Sequence, residues 1–205
     1  MTAVFDAPEL VLREQGRVFS TRHHYDLLAP DGNALAVVEE EQRRGFLGIV
    51  TSSRYVVAAD GAPVLFVERP ARWGQRLEFH AVRPDGSPLG RVRQENSWGA
   101  PRLEIATPDG VLARMTGGAW GSREWTVTLH ADPRPTSLRT AGDLLGGVHR
   151  RHRTFGRAVA DADEFVLSTD PALDPDLRAL LLAAVIALDG VRDQQKRSAG
   201  RRGAT

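Results

Sequence analysis

Asp174-Pro-Asp-Leu-Arg-Ala-Leu-Leu-Leu-Ala-Ala-Val-Ile-Ala-Leu-Asp189-Gly190 is the stretch whose reading decides the fold. Asp174 suits an N-cap, Pro175 the first helical position and Gly190 the C-terminal stop, which predicts a helix over about 175–189. Ala179 to Leu188 offers no polar residue on any face. A helix apolar all round must be enclosed, by lipid or by protein. The run is about half of the ~20 residues that cross a bilayer, and Arg178 and Asp189 close it off. Protein is therefore the expected enclosure, and the rest of the chain must supply it.

That rest has the pattern of antiparallel strands. Asp31-Gly32, Asp60-Gly61, Asp85-Gly86 and Asp109-Gly110 recur at spacings of one hairpin, three of them directly after a proline and all four between strand-like runs such as Tyr55-Val-Val-Ala and Val64-Leu-Phe-Val. Asp-Gly is tight-turn chemistry because glycine accepts φ > 0 and the aspartate side chain bonds the backbone ahead. Successive hairpins form a meander, and a meander without long crossovers closes into a barrel. The expectation is a mainly β fold: a closed antiparallel barrel of about twelve strands around the C-terminal helix. Residues 1–193 are expected to form that barrel as one domain. Residues 131–147 are expected to form a loop, with a short helix near 141–145, and residues 194–205 a disordered basic tail.

Composition narrows the function classes. The 205 residues contain no cysteine, which removes thiol catalysis, zinc-thiolate sites and S-palmitoylation. Met1-Thr-Ala-Val-Phe-Asp lacks the basic start and apolar core of a signal peptide, so a cytoplasmic protein is expected. No Gly-x-Ser-x-Gly elbow or phosphate-cradling glycine loop is present, which points away from an enzyme. The formal charge is only +1, yet residues 133–157 carry six arginines against Asp143. Residues 191–205 carry five basic residues against Asp193. Such basic stretches on an acidic body steer toward anionic surfaces. Within His149-Arg-Arg-His-Arg153, strand alternation puts Arg151 and Arg153 on one face and Arg150 and His152 on the other. Arg150, Arg151 and Arg153 are the candidate lipid-headgroup ligands, against the plainer reading of a solvated hairpin. Nucleic acid is not expected, because no aromatics interleave the arginines. Trp73 and Trp98, beside glycines at hairpin ends, suit either interface anchors or barrel plugs. His149-x-x-His152 lacks a nearby carboxylate and makes a poor metal site, and Glu39-Glu40-Glu41 suits a protected sheet edge.

Asp161-Ala-Asp163-x-Phe165-x-Leu167, the acidic proline-bearing loop, Leu173-Asp174 and the apolar helix ending Leu188-Asp189 resemble the C-terminus of the phospholipid scramblase family. The hairpin Val82-Arg-Pro-Asp-Gly-Ser-Pro-Leu-Gly-Arg-Val-Arg-Gln94 resembles the same family and its LURP-one-related and Tubby C-terminal relatives. The resemblance covers about Tyr25 to Arg192. It implies a Tubby-like barrel threaded by a hydrophobic helix, and calcium-dependent movement of phospholipid between leaflets with calcium on the Asp161–Asp163 segment. Read for its own ligands, that segment has Phe165, Val166 and Ala172 where a calcium loop needs an oxygen, a glycine and an acid. Weak calcium binding at Asp161 and Asp163 is the most it suggests, and no other cofactor is expected. The expected function is a non-enzymatic phospholipid-binding module, peripheral at the inner face of the plasma membrane, with an anionic phospholipid surface as partner. The alternative is a soluble intracellular adaptor barrel that binds a protein partner.

Overall fold

Each Asp-Gly pair turns the chain. At Asp31-Gly32 the Gly32 amide donates to the Ala29 carbonyl at 2.9 Å, and Asp31 Oδ1 accepts from the Asn33 amide at 3.0 Å. Asp85-Gly86 repeats the device, with Asp85 Oδ1 accepting from the Ser87 amide at 2.8 Å. Gly32 and Gly86 take φ of 89° and 86°, a region closed to residues with a Cβ at low cost. At Asp60-Gly61 both residues have positive φ, the signature of a two-residue hairpin turn.

A computed structural model describes residues 3–15, 23–44, 50–70, 76–97, 99–118, 122–130, 141–153 and 162–202. After a short 3-10 turn (Ala3–Phe5) come β1 (Glu9–Glu14), β2 (His24–Leu28), β3 (Ala34–Arg44), β4 (Val50–Ala59), β5 (Ala62–Pro70) and β6 (Glu78–Val82). Then follow β7 (Pro88–Gln94), β8 (Arg102–Thr107), β9 (Gly110–Gly117), β10 (Glu124–Leu129), β11 (Leu144–Arg153), β12 (Ala162–Thr169) and the helix α1 (Pro175–Arg202). Every strand pairs antiparallel with its neighbours in sequence, and β1 pairs with β12 from Glu9↔Ser168 to Arg13↔Glu164, which closes the barrel. Closure removes edges altogether. The acidic run Glu39–Glu41 therefore protects no edge: Glu40 is buried in β3, between β2 and β4.

Strand alternation sends Leu27, Val38, Val57, Val67, Val92, Ile105, Met115, Val127 and Leu167 inward, all fully buried or nearly so. α1 fills the space they surround. Asp174 caps it as the sequence suggested, accepting from the Leu177 amide at 2.8 Å. From Ala179 to Leu188 every helical residue is buried. Its large side chains bury ~1.5–3 kcal/mol each, on the order of 10–20 kcal/mol gross. Arg178 ties the entrance shut by donating to the carbonyls of Phe5, Asp6 and Pro171 at 3.0, 2.6 and 2.6 Å.

Two further sequence expectations are corrected. Gly190 does not stop the helix, which continues to Arg202. A Cβ at Gly190 would stand 3.0 Å from Phe79 Cζ on β6, so the glycine permits close approach of helix to wall. Gly90 on β7 does the same from the other side, where a Cβ would meet the Ala106 carbonyl at 2.4 Å and Leu180 at 2.9 Å. The second correction lies at Leu144–Gly147, which is the start of β11 rather than loop or helix.

The topology gives the barrel two unlike ends. The β2–β3, β4–β5, β6–β7 and β8–β9 turns and the start of α1 share one end. The last residues of β1, β3 and β11 and the first of β2, β4 and β12 share the other, from which α1 leaves.

Candidate functional site

The apolar run of α1 ends at Leu188, and the next turn carries Asp189, Arg192 and Asp193 on one face. This is the mouth where the helix leaves the barrel. The surrounding strands meet those side chains with polar groups of their own. Glu14 closes β1, His23 precedes β2, Tyr25 lies on β2, Glu40 on β3, Tyr55 on β4, Arg150 on β11 and Asp163 on β12. The result is a polar plug in two parts, one acidic and one cationic.

In the acidic part, Tyr25 Oη lies 2.7 Å from Asp189 Oδ2 and 2.7 Å from His23 Nδ1. A hydroxyl has one proton, so it donates to the carboxylate and accepts from Nδ1–H. His23 Nδ1 also faces Glu14 Oε1 at 3.3 Å and Asp189 Oδ2 at 3.6 Å, while Nε2 faces Asp193 Oδ2 at 3.4 Å. The His23 amide donates to Glu40 Oε2 at 3.1 Å, and the His23 ring stacks on Tyr25 with centroids 5.7 Å apart. Burial, then the Glu14 charge, pushes the Asp189 carboxyl up to about 6, against the opposing hydrogen bond from Tyr25. Burial, then Asp189, holds Tyr25 well above the ordinary phenol range. Tyr55 is raised by burial and by Glu40.

In the cationic part, Asp163 sits between two guanidinium groups. Arg150 Nε is 3.0 Å from Oδ1 and Arg192 Nη1 is 3.4 Å from Oδ2. The Arg192 guanidinium stands 5.8 Å from the ring centroids of both Trp125 and Phe165, within cation–π range. Burial, then the neighbouring Arg150, draws the Arg192 pKa down. Removing one partner of such a pair strands a buried charge, so the triad locks the helix against β11 and β12.

The candidate residues from the sequence are thus divided. Arg150 points inward onto Asp163, whereas the Arg151 side chain is 60 % exposed and lies 3.9 Å from Glu164 Oε1 on the outside. The barrel wall separates them, and the expected convergence on one headgroup site does not occur for this pair. Arg153 ends β11, and its side chain lies outside the described residues, as do Asp161, Trp73, Trp98 and the His152 side chain. Asp163 already holds two guanidinium partners, which a calcium ion would have to displace. His23, Tyr25, Glu14 and Asp193 escaped the sequence reading. The available signal was Asp189, an acid that directly follows ten apolar residues on the same helix.

A family model described as Scramblase matches residues 18–192. The chain belongs to the scramblase family. No curated protein and no solved structure matches the chain significantly. The matched span contains the Tyr25–His23–Asp189 hydrogen bonds and the Arg150–Asp163–Arg192 triad, while Glu14 and Asp193 fall just outside it. Membership supports a scramblase-related, lipid-binding function at the level of the family. Among the described residues, no helix is long and apolar enough to cross a membrane.

Proposed function

We propose that this chain is a non-catalytic phospholipid-binding module that meets an anionic membrane surface with the end of the barrel from which α1 leaves. The observation that carries this reading is the continuation of α1 to Arg202, which sets Lys196, Arg197, Arg201 and Arg202 beyond its last acid, Asp193. Arg151 and the final β11 position, Arg153, belong to the same end. The opposite end is acidic, with Asp31, Asp60, Asp85 and Asp109 exposed at the turns. A molecule polarised in this way orients its basic end toward anionic lipid.

Each basic residue near an anionic surface is worth ~1 kcal/mol, and the attraction weakens with salt over a Debye length of about 8–10 Å. Replacing Lys196, Arg197, Arg201 and Arg202 with Gln should therefore lower partitioning onto anionic vesicles on the order of a thousandfold. The test is co-sedimentation of both proteins with anionic and neutral vesicles at low and physiological salt. The expected result is salt-sensitive binding of the unaltered protein to anionic vesicles, lost in the variant. Equal binding by both would remove α1 from the contact. No binding by either would favour a barrel that takes a protein partner.

A further inference from the structure

We propose that Glu14, His23 and Asp189 form a binding site for a divalent transition-metal ion of the zinc type, with Asp193 orienting the imidazole. The inference goes beyond the membrane reading and does not depend on it. Two ligands bound ~2.0–2.1 Å from a tetrahedral ion lie about 3.3 Å from each other. His23 Nδ1 stands 3.3 Å from Glu14 Oε1 and 3.6 Å from Asp189 Oδ2, and all three ligand atoms lie within 4.8 Å of one another. The two imidazole-to-carboxylate spacings are those of neighbouring ligands in one coordination shell, and the ion draws the two carboxylates together. Two carboxylates and a neutral imidazole also balance a 2+ charge inside the barrel mouth.

A second observation is the far nitrogen of the same ring. His23 Nε2 faces Asp193 Oδ2 at 3.4 Å. A carboxylate on the distal N–H is the arrangement that fixes a metal-binding imidazole in its ligating tautomer and raises its basicity. Tyr25 Oη bridges Nδ1 and Asp189 Oδ2 in the metal-free arrangement, and on binding Nδ1 releases its proton to solvent and turns to the ion, while Tyr25 keeps its bond to Asp189. The fourth position falls to water. An entry path exists, since the Glu14 and Asp193 side chains retain 11 % and 19 % exposure at the mouth. A nitrogen ligand favours zinc or cobalt over calcium, which takes oxygen.

The experiment uses the full chain freed of metal by a chelator and then titrated with Zn²⁺ in competition with a chromophoric chelator. Co²⁺ absorption serves as a readout of tetrahedral geometry. The expected result is one tight equivalent of Zn²⁺, absent in His23→Gln and in Asp189→Asn. Asp193→Asn should keep the stoichiometry and weaken affinity about 10–100-fold. His80→Gln and His149→Gln, at exposed histidines, should change nothing. Asp189→Asn removes a buried charge yet leaves Tyr25 an acceptor, so it reads the site even if His23→Gln does not fold. Full uptake by either ligand variant, or no uptake by the unaltered protein, would overturn the proposal.

Discussion

Tyr25 and Tyr55 are the only tyrosines in the chain, and both are buried in the polar plug. Their phenols are raised, so the folded state resists ionisation where the unfolded state accepts it. Stability is unaffected below about pH 10 and falls above it by about 1.4 kcal/mol per pH unit for each tyrosine. Ultraviolet titration of the metal-free protein should show tyrosinate appearing only as circular dichroism is lost. Tyrosinate in a folded protein near its ordinary pKa would place these side chains in water. The two adjacent arginines of β11 give a second contrast. Arg150→Ala leaves buried Asp163 with Arg192 as its remaining guanidinium partner and empties the space of a buried side chain, and should cost ~1–3 kcal/mol, whereas Arg151→Ala should stay within about 0.5 kcal/mol. Urea unfolding of both variants checks this, and equal effects would contradict the inward orientation of Arg150. Strand period made the division of the two arginines legible in the sequence. Which face was inner was not, because that depends on closure between β1 and β12. His23 was illegible for a related reason: its partners at 14, 189 and 193 come together only once the barrel is closed.

At the scale of elements, the hairpins and the helix start were readable because their causes are local. Asp-Gly turn chemistry and an Asp-Pro cap act within a few residues of themselves. Gly190 was misread because one residue type serves both as a helix stop and as a point of close approach, and only Phe79 decides between them. The same closeness makes Gly90 intolerant. Gly90→Ala forces β7 away from Ala106 and Leu180 and should cost ~1–3 kcal/mol despite the backbone entropy it removes. Ile186→Asp puts an unpaired charge at a fully buried position of α1 and should prevent folding. Thermal melts of both variants test the packing of α1. An unchanged Tm for Ile186→Asp would mean that the helix does not lie inside the barrel.

At the scale of the whole molecule, the barrel and its helix make an object with an acidic turn end and a basic exit end. The family match establishes the kind of protein, and the polarity of the two ends supports the proposed orientation at a membrane. The absence of cysteine permits a direct reading of that orientation, since one introduced thiol is the only label site. Ser198→Cys places a polarity-sensitive fluorophore on the exit segment of α1, and Ala62→Cys places it at the β4–β5 turn. With anionic vesicles added, the label at position 198 should shift to the blue and lose the shift as salt rises, while the label at position 62 stays unchanged. A shift at position 62 with none at position 198 would contradict the orientation, and silence from both labels would contradict the membrane contact itself.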